Sequence, residues 1–160
     1  MSLFYGIEMK PAEKKLPATS AQIVRKTAEL AKVIDRCETI VIVKTMEEAL
    51  ALKEYYETQN LFEELHPLLS PAHFQPTGRF QDYGFQSVSQ RHYLFEDTVL
   101  SFRVNRGTDQ EISMFLFQLD EHLIGTDQED DGSNYFVDRE EKELIQKYAS
   151  AYNVIITARS

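Results

Sequence analysis

Arginine, histidine and tyrosine side chains are concentrated in one stretch of the sequence, residues 79–93 (RFQDYGFQSVSQRHY). An arginine offers a planar, bidentate donor to anions, and a tyrosine is a rigid contact that loses little conformational entropy on binding. This combination is typical of anion or partner recognition. The alternative is an ordinary polar loop and edge strand with half-buried tyrosines. The predicted binding site consists of Arg79, Asp82, Tyr83, Arg91, His92 and Tyr93.

Acid/base catalysis by histidine is a second possibility, and the sequence has four candidates: His66, His73, His92 and His122. No pair of them has a helical metal-binding spacing such as HExxH, and no serine lies in a nucleophile elbow. His92 is the first to test, because Arg91 and Tyr93 flank it. The glycines form neither GxGxxG nor a P-loop. We therefore predict no catalytic residue and no cofactor, and we expect a non-enzymatic protein.

A third candidate is the acidic stretch 127–138 (DQEDDGSNYFVD), which has oxygen-bearing side chains at positions 1, 3, 5 and 7 and glycine at position 6. In this spacing it resembles an EF-hand calcium loop, over these twelve residues only. It departs from the pattern at position 8, where Asn134 is polar, and at position 12, where aspartate replaces glutamate. We expect a solvated, mobile loop, with calcium binding as the minority alternative. The ligands that the resemblance implies are Asp127, Glu129, Asp131 and Asp138.

Composition restricts the class of protein. A chain of 160 residues with 42% hydrophobic and 27% charged residues predicts a single globular domain over 1–160. The net charge of −9 argues against nucleic-acid binding and suits a protein that docks on a basic protein partner.

The lone cysteine, Cys37, excludes an intramolecular disulfide. Without a long apolar run or a signal-peptide pattern, we expect no membrane association and a cytoplasmic location.

The most regular pattern in the sequence is a strand followed by a helix. The β-branched run Ile40–Val43 predicts a strand buried on both faces, in the middle of a sheet. Thr45 and Glu48 then form a capping-box pattern that predicts the start of a helix. This helix is predicted to continue through Leu65 with a break near Asn60.

The segments before this pattern predict a βαβα N-terminal half. A first strand covers residues 3–9, and a helix from the box-like pair Thr19 and Gln22 runs to about Arg36, with Cys37 at its end. If the strands at residues 3–9 and 39–44 are parallel neighbours, the crossover between them should be right-handed.

The second half predicts strands, then a helix and a last strand. Residues 67–84, with three prolines and two glycines, predict a long irregular loop. Leu100, Phe102 and Val104 alternate with polar residues, as in a strand with one buried face, and the apolar run 112–119 is interpreted as another strand. Asp138 is predicted to cap a helix. Residues 154–157 are predicted to form a last strand, which is buried if it joins the sheet of residues 39–44.

Together these patterns predict an α+β fold: a mixed sheet with a βαβα N-terminal half, an antiparallel meander, and a C-terminal helix plus strand. The expected function is that of an acidic cytoplasmic protein-interaction module, of inhibitor, immunity or adaptor type, docking on a basic partner. The alternative is a small enzyme or ligand-binding domain with a site built from the Arg79 to Tyr93 region.

Overall fold

The structure, a computed structural model, describes residues 2–11 and 17–159, and for residues 17–20 it describes the backbone only. The helices are α1 (Pro17–Leu30), α2 (Met46–Thr58), α3 (Asp109–Leu119) and α4 (Lys142–Ala151). The strands are β1 (Ser2–Met9), β2 (Asp35–Cys37), β3 (Ile40–Val43), β4 (Phe62–Ser70), β5 (Phe74–Pro76), β6 (Gly84–Gln86), β7 (His92–Phe95), β8 (Val99–Arg106), β9 (Gly125–Glu129), β10 (Gly132–Asp138) and β11 (Ile155–Arg159). Short 3₁₀ turns are Phe80–Asp82, Glu96–Thr98, Asp120–His122 and Arg139–Glu141.

The chain divides into two compact units, each with its own hydrophobic core. Unit 1 comprises the residues up to Ser70 together with Gln86–Tyr93, and unit 2 comprises Pro71–Phe85 together with the residues from Leu94 onward. The single domain over 1–160 stays a prediction. None of the helices in the described ranges combines the length and apolar character needed to cross a bilayer.

Strands β1 to β4 of unit 1 lie in a sheet with the strand order β2-β3-β1-β4-β7-β6, in which β1 pairs antiparallel with both β3 and β4. Side chains alternate between the two faces of a strand, so one face of β1 and β3 packs on α1 and α2. The fully buried Ile7, Val43, Leu52 and Tyr56 form the centre of this core. The Tyr56 hydroxyl, 2.7 Å from the hydroxyl of Thr27, has a hydrogen-bond partner inside the core.

The predicted strand β3 and the start of helix α2 are confirmed. β3 lies inside the sheet between β2 and β1, with two of its four residues buried and two half-buried. The amide of Glu48 donates to the Thr45 hydroxyl oxygen at 3.2 Å, and that hydroxyl donates to the Glu48 carboxylate at 2.9 Å. The local sequence alone therefore placed the helix start correctly.

Two predictions for the first segments were wrong. Helix α1 begins before Thr19, whose side chain lies outside the described residues, and it ends at Leu30 instead of Arg36. Cys37 consequently lies in β2 and not at a helix end. β1 and β3 are antiparallel neighbours, so the crossover rule for parallel strands does not apply to them. The extra strand β2 and a tight turn with Glu38 at φ 49° reverse the chain once more before β3.

The segment after α2 also differs from its prediction. The helix ends at Thr58, near the expected break at Asn60 (φ 55°), but the chain continues as strand β4 and not as helix. The predicted loop 67–84 contains the end of β4, all of β5 and the 3₁₀ turn Phe80–Asp82. The prolines of this segment predicted a loop, and that prediction was wrong. Strands β4 and β5 form because they pair with β1 and β9, which are distant in the sequence.

Unit 2 has an antiparallel sheet with the strand order β11-β8-β10-β9-β5, and α3 and α4 pack on one of its faces. The alternation predicted for β8 is confirmed, since Phe102 is buried in this core with Leu100 and Val104 packed against it. The helix predicted after Asp138 is also confirmed. Asp138 accepts a hydrogen bond of 2.8 Å from the Glu140 amide and so caps the 3₁₀ turn that leads into α4.

Two predictions for unit 2 were wrong. The apolar run 112–119 belongs to helix α3, which starts with a complete capping box between Thr108 and Glu111. The acidic stretch predicted as a mobile loop forms the β9–β10 hairpin. The predicted last strand is confirmed as β11, but it pairs with β8 in the second sheet and is mostly exposed, so it does not join the sheet of residues 39–44. The α+β class is confirmed, with two antiparallel sheets instead of one mixed sheet.

Candidate functional site

The six residues of the predicted binding site fall into two groups, one in each unit. Arg79, Asp82 and Tyr83 belong to unit 2, where Asp82 is exposed. The other three, Arg91, His92 and Tyr93, belong to unit 1. Each group has its own set of partners within its unit.

In unit 2, Arg79 and Tyr83 are part of a polar network. The guanidinium of Arg79 lies over the Tyr83 ring at 5.8 Å from its centroid and donates to the Tyr83 oxygen at 3.2 Å. Tyr83 in turn donates to the Asp138 carboxylate at 2.7 Å. This hydrogen bond, followed by partial burial, raises the pKa of the Tyr83 hydroxyl. Both residues are therefore held by groups of the same unit.

The same network continues through a carboxylate to a histidine. Glu141 accepts from Arg79 at 3.4 Å with one oxygen, and its other oxygen lies 2.7 Å from Nδ1 of His122. The second ring nitrogen of His122 is 3.4 Å from the Tyr148 hydroxyl. A carboxylate that orients an imidazole is the arrangement used in general acid/base pairs, and it also occurs as a structural contact. The 3₁₀ turns that place His122 and Glu141 were not predictable from local sequence.

In unit 1, Tyr93 is fully buried and donates to a buried carboxylate, Asp35, at 2.9 Å. Two serine hydroxyls donate to the same oxygen of Asp35 at 2.5 Å, those of Ser87 and Ser89. The amide of Arg36 donates to the other oxygen at 2.9 Å. No local motif in the sequence marks this site, because the three hydroxyl donors are 52 or more positions from Asp35.

These hydrogen bonds determine the ionisation of the Asp35 site. Burial opposes the charge on Asp35, but the hydrogen bonds from Ser87, Ser89, the Arg36 amide and Tyr93 outweigh it and lower the pKa of the carboxyl. Burial, together with the hydrogen bond to Asp35 and the charge of Asp35, raises the pKa of Tyr93 to about 12. Asp35 therefore acts as an anion that fastens residues 87–93 to β2.

The four residues with EF-hand-like spacing have separate partners. Asp127 is buried and accepts from the His73 amide at 2.9 Å, and Asp138 accepts from Tyr83. Glu129 and Asp131 both pair with Arg103. Within residues 2–11 and 17–159, these four do not form a group of ligand atoms close enough to share an ion. The hairpin geometry thus separates carboxylates that the sequence spacing had suggested would converge.

A different feature of unit 2 is an apolar surface on helix α3. Phe117 is 85% exposed and Met114, three residues earlier, is 48% exposed. Residues three or four apart share one side of a helix, so these two side chains are neighbours on the surface. We call the exposed residues Gln110, Ser113, Met114 and Phe117 the α3 face. An exposed phenylalanine next to an exposed methionine is the composition of an interface centre.

The α3 face lies in the part of the sequence that carries the negative charge. Residues 107–138 contain nine Asp and Glu and no Lys or Arg, which equals the −9 net charge of the chain. The rest of the sequence is balanced, with 17 residues of each sign. Of the nine, Glu129 and Asp131 are paired with arginines, whereas Asp109, Asp120 and Glu121 are exposed. No described Lys or Arg is within ion-pair distance of these three carboxylates.

Two of these acids lie where helix electrostatics disfavours them. Asp120 is the C-cap of α3, Glu121 follows it, and the last turn of the helix has no basic residue. The C-terminal end of a helix carries partial negative charge, so an acid there is unfavourable by a few tenths of a kcal/mol or more. Arg79 relieves this in part, by donating to the Glu121 carbonyl oxygen at 3.2 Å.

Three comparisons with known proteins gave no match. No protein-family model matches the chain, and no match was found among curated proteins or solved structures.

Proposed function

We propose that the protein is a non-enzymatic interaction module that docks on a basic protein partner through the α3 face. The observation that carries this proposal is the 85% exposure of Phe117. Leaving a phenylalanine side chain in water forgoes about 1.5–3 kcal/mol of burial free energy, which a bound partner would recover. Phe117 is therefore the expected anchor of the interface.

The surroundings of Phe117 indicate the chemistry of the partner. The partner needs an apolar pocket that receives Phe117 and Met114. Lysines or arginines of the partner around that pocket would pair with Asp120 and Glu121. The same cations would complement the negative end of α3. Charge complementarity of this kind accelerates association with the basic partner and disfavours the binding of acidic proteins. As part of this proposal the protein acts in the cytoplasm, where the free thiol of Cys37 would stay reduced.

Site-specific photocrosslinking tests this proposal in cells that express the protein. Benzoylphenylalanine in place of Phe117 is expected to crosslink one predominant basic protein, because its aromatic side chain occupies the proposed interface. The control places the same group at Val24, which is 70% exposed on α1 of unit 1. Crosslinking of the same proteins from both positions, or of acidic proteins from position 117, would refute the docking surface.

The alternative, a ligand-binding or catalytic domain built from the Arg79 to Tyr93 region, is favoured by one observation. Arg79 and Tyr83 lie in a network with the Glu141–His122 pair, which joins an anion-binding group to an acid/base pair. Adding phosphate or acetate should then shift the NMR signals of His122 and Arg79, and Arg79→Gln should abolish the shift. Unchanged signals at millimolar anion would exclude a small-anion site in this network.

A further inference from the structure

Two carboxylates and an imidazole lie close together on strands β1 and β4 of unit 1, on the face of the sheet opposite α1 and α2. We propose that Glu8, Glu64 and His66 form a binding site for a divalent first-row transition metal ion such as Zn²⁺. Ile7 and Leu65 belong to the core under the helices. Because side chains alternate along a strand, Glu8, Glu64 and His66 lie on the other face.

The strand register brings the three side chains together. Glu8 of β1 is directly paired with Glu64 of β4, and His66 is two residues further along β4 on the same face. Nε2 of His66 lies 2.8 Å from Glu8 and 3.9 Å from Glu64, and one ligand atom from each residue lies within 4.8 Å of the other two. With metal–ligand bonds of about 2.0–2.2 Å, two donors on one tetrahedral zinc are roughly 3.3–3.5 Å apart. Small rotations of these side chains would therefore give a bonded geometry.

The local charge favours a cation. Two glutamates directly opposite each other on adjacent strands repel. Among the described residues, no lysine or arginine is within ion-pair distance of Glu8 or Glu64, in contrast to Glu129, which has Arg103 and Arg159. A divalent ion would supply the positive charge that this pair of carboxylates lacks. In that complex the metal replaces the hydrogen between Glu8 and His66.

The site is held by rigid, partly apolar surroundings. Leu68, also on β4, is fully buried, and Gly6, paired with His66, leaves room for the side chains of Leu68 and Ile40. The register of β1 against β4 shifts between Glu8 and Met9, directly next to the site. The side chain of His66 is 14% exposed and that of Glu64 is 66% exposed. An ion would therefore enter from the Glu64 side and keep a coordination position open to water.

The donor set selects the class of metal. One imidazole nitrogen with two carboxylate oxygens suits Zn²⁺, Mn²⁺ or Co²⁺, whereas Ca²⁺ takes about 6–8 oxygen ligands. Calcium also prefers oxygen donors, so the imidazole nitrogen of His66 is a poor ligand for it. We expect Zn²⁺ to bind and Ca²⁺ at the same concentration to give no saturable heat.

Calorimetric titration of the metal-free full chain with ZnCl₂ tests the site. We expect one site of micromolar or tighter affinity, and His66→Asn and Glu8→Gln should each raise Kd by about tenfold or more, as loss of a ligand or its orientation does. The controls are His73→Asn and Glu63→Gln, an exposed histidine and an exposed neighbour outside the cluster, which should leave Kd unchanged.

Two results would overturn this inference: no saturable zinc binding by the wild-type protein, or equal loss of binding in the control variants. Circular dichroism of each metal-free variant shows whether it is folded. If His66→Asn fails to fold, Glu64→Gln replaces it, since that side chain is mostly exposed. Unchanged zinc affinity in a folded Glu64→Gln variant would also contradict the site.

Discussion

Replacement of Asp35 by alanine is expected to lower the free energy of unfolding by roughly 3–5 kcal/mol. Hydrogen bonds to a charged acceptor contribute about 1.5–3 kcal/mol each, and their effects are not additive. The substitution leaves the buried hydroxyls of Ser87 and Tyr93 without this acceptor. Denaturant unfolding at neutral pH measures the change. Asp97→Ala, at an exposed position in a 3₁₀ turn, is the control and should change stability by less than about 0.5 kcal/mol.

The Asp35 contribution should depend on pH in a defined direction. The folded state lowers the pKa of this carboxyl below its ordinary value of 3.8, so the unfolded chain takes up the proton first as the pH falls. The stabilisation is therefore complete above pH 3.8 and is lost as the pH falls through the folded-state pKa. The stability difference between wild type and Asp35→Ala should shrink in this acidic range. If the stability difference between the two proteins stays constant as the pH is lowered to the point where they unfold, Asp35 does not act as an anion in the folded state.

Substitution of Gly125 by alanine is expected to destabilise the protein by about 3 kcal/mol, the upper end of the usual range for overpacking. A Cβ atom at this position would lie 2.2 Å from Cζ of Phe74 and 2.8 Å from the Gln75 carbonyl oxygen. The ring can rotate in part, but the carbonyl belongs to strand β5, which pairs with β9 at this point. The alanine therefore forces the two strands apart.

Gly78 provides the matched control, because a Cβ there would have no heavy atom within 4 Å. Gly78→Ala should stay within about 0.5 kcal/mol of wild type. Thermal and denaturant unfolding of both variants are compared with wild type. A loss below about 1 kcal/mol in Gly125→Ala would mean that β5 is not held against β9 as described.

Local sequence signals predicted those elements whose ends are defined by nearby residues. Thr45 with Glu48 fixed the start of α2, and Asp138 fixed the turn into α4, since a cap acts over three residues. The same signal was available for α3 in Thr108 and Glu111. The run ISMFLFQL that follows it is nearly all apolar and comes after a turn, so it fits a buried strand as well as a core helix.

Long-range contacts account for most of what the sequence did not predict. The prolines of residues 67–84 indicated a loop, yet β4 and β5 are stabilised by pairing with β1 and β9. The carboxylates of the acidic hairpin are held by Arg103 from another strand.

The candidate sites show the same limit. Asp35 meets its hydroxyl donors across more than 50 residues, and the predicted group from Arg79 to Tyr93 is divided between two units. Even the exposure of Phe117 depends on which side of α3 faces the core. A helix that buries Phe115 and Leu119 must turn Phe117 outward, which the interpretation of 112–119 as a strand did not reveal.

The most direct test of the docking proposal is the dissociation constant of the crosslinked partner, measured with purified proteins. Phe117→Ser should raise Kd about 10- to 100-fold, as loss of an interface anchor does, while Val24→Ser should stay within about twofold. Raising the salt concentration from about 50 to 500 mM should weaken wild-type binding, and Asp120→Asn with Glu121→Gln should reduce that salt dependence. Equal affinity of wild type and a folded Phe117→Ser variant, or binding that does not respond to salt, would contradict the proposal.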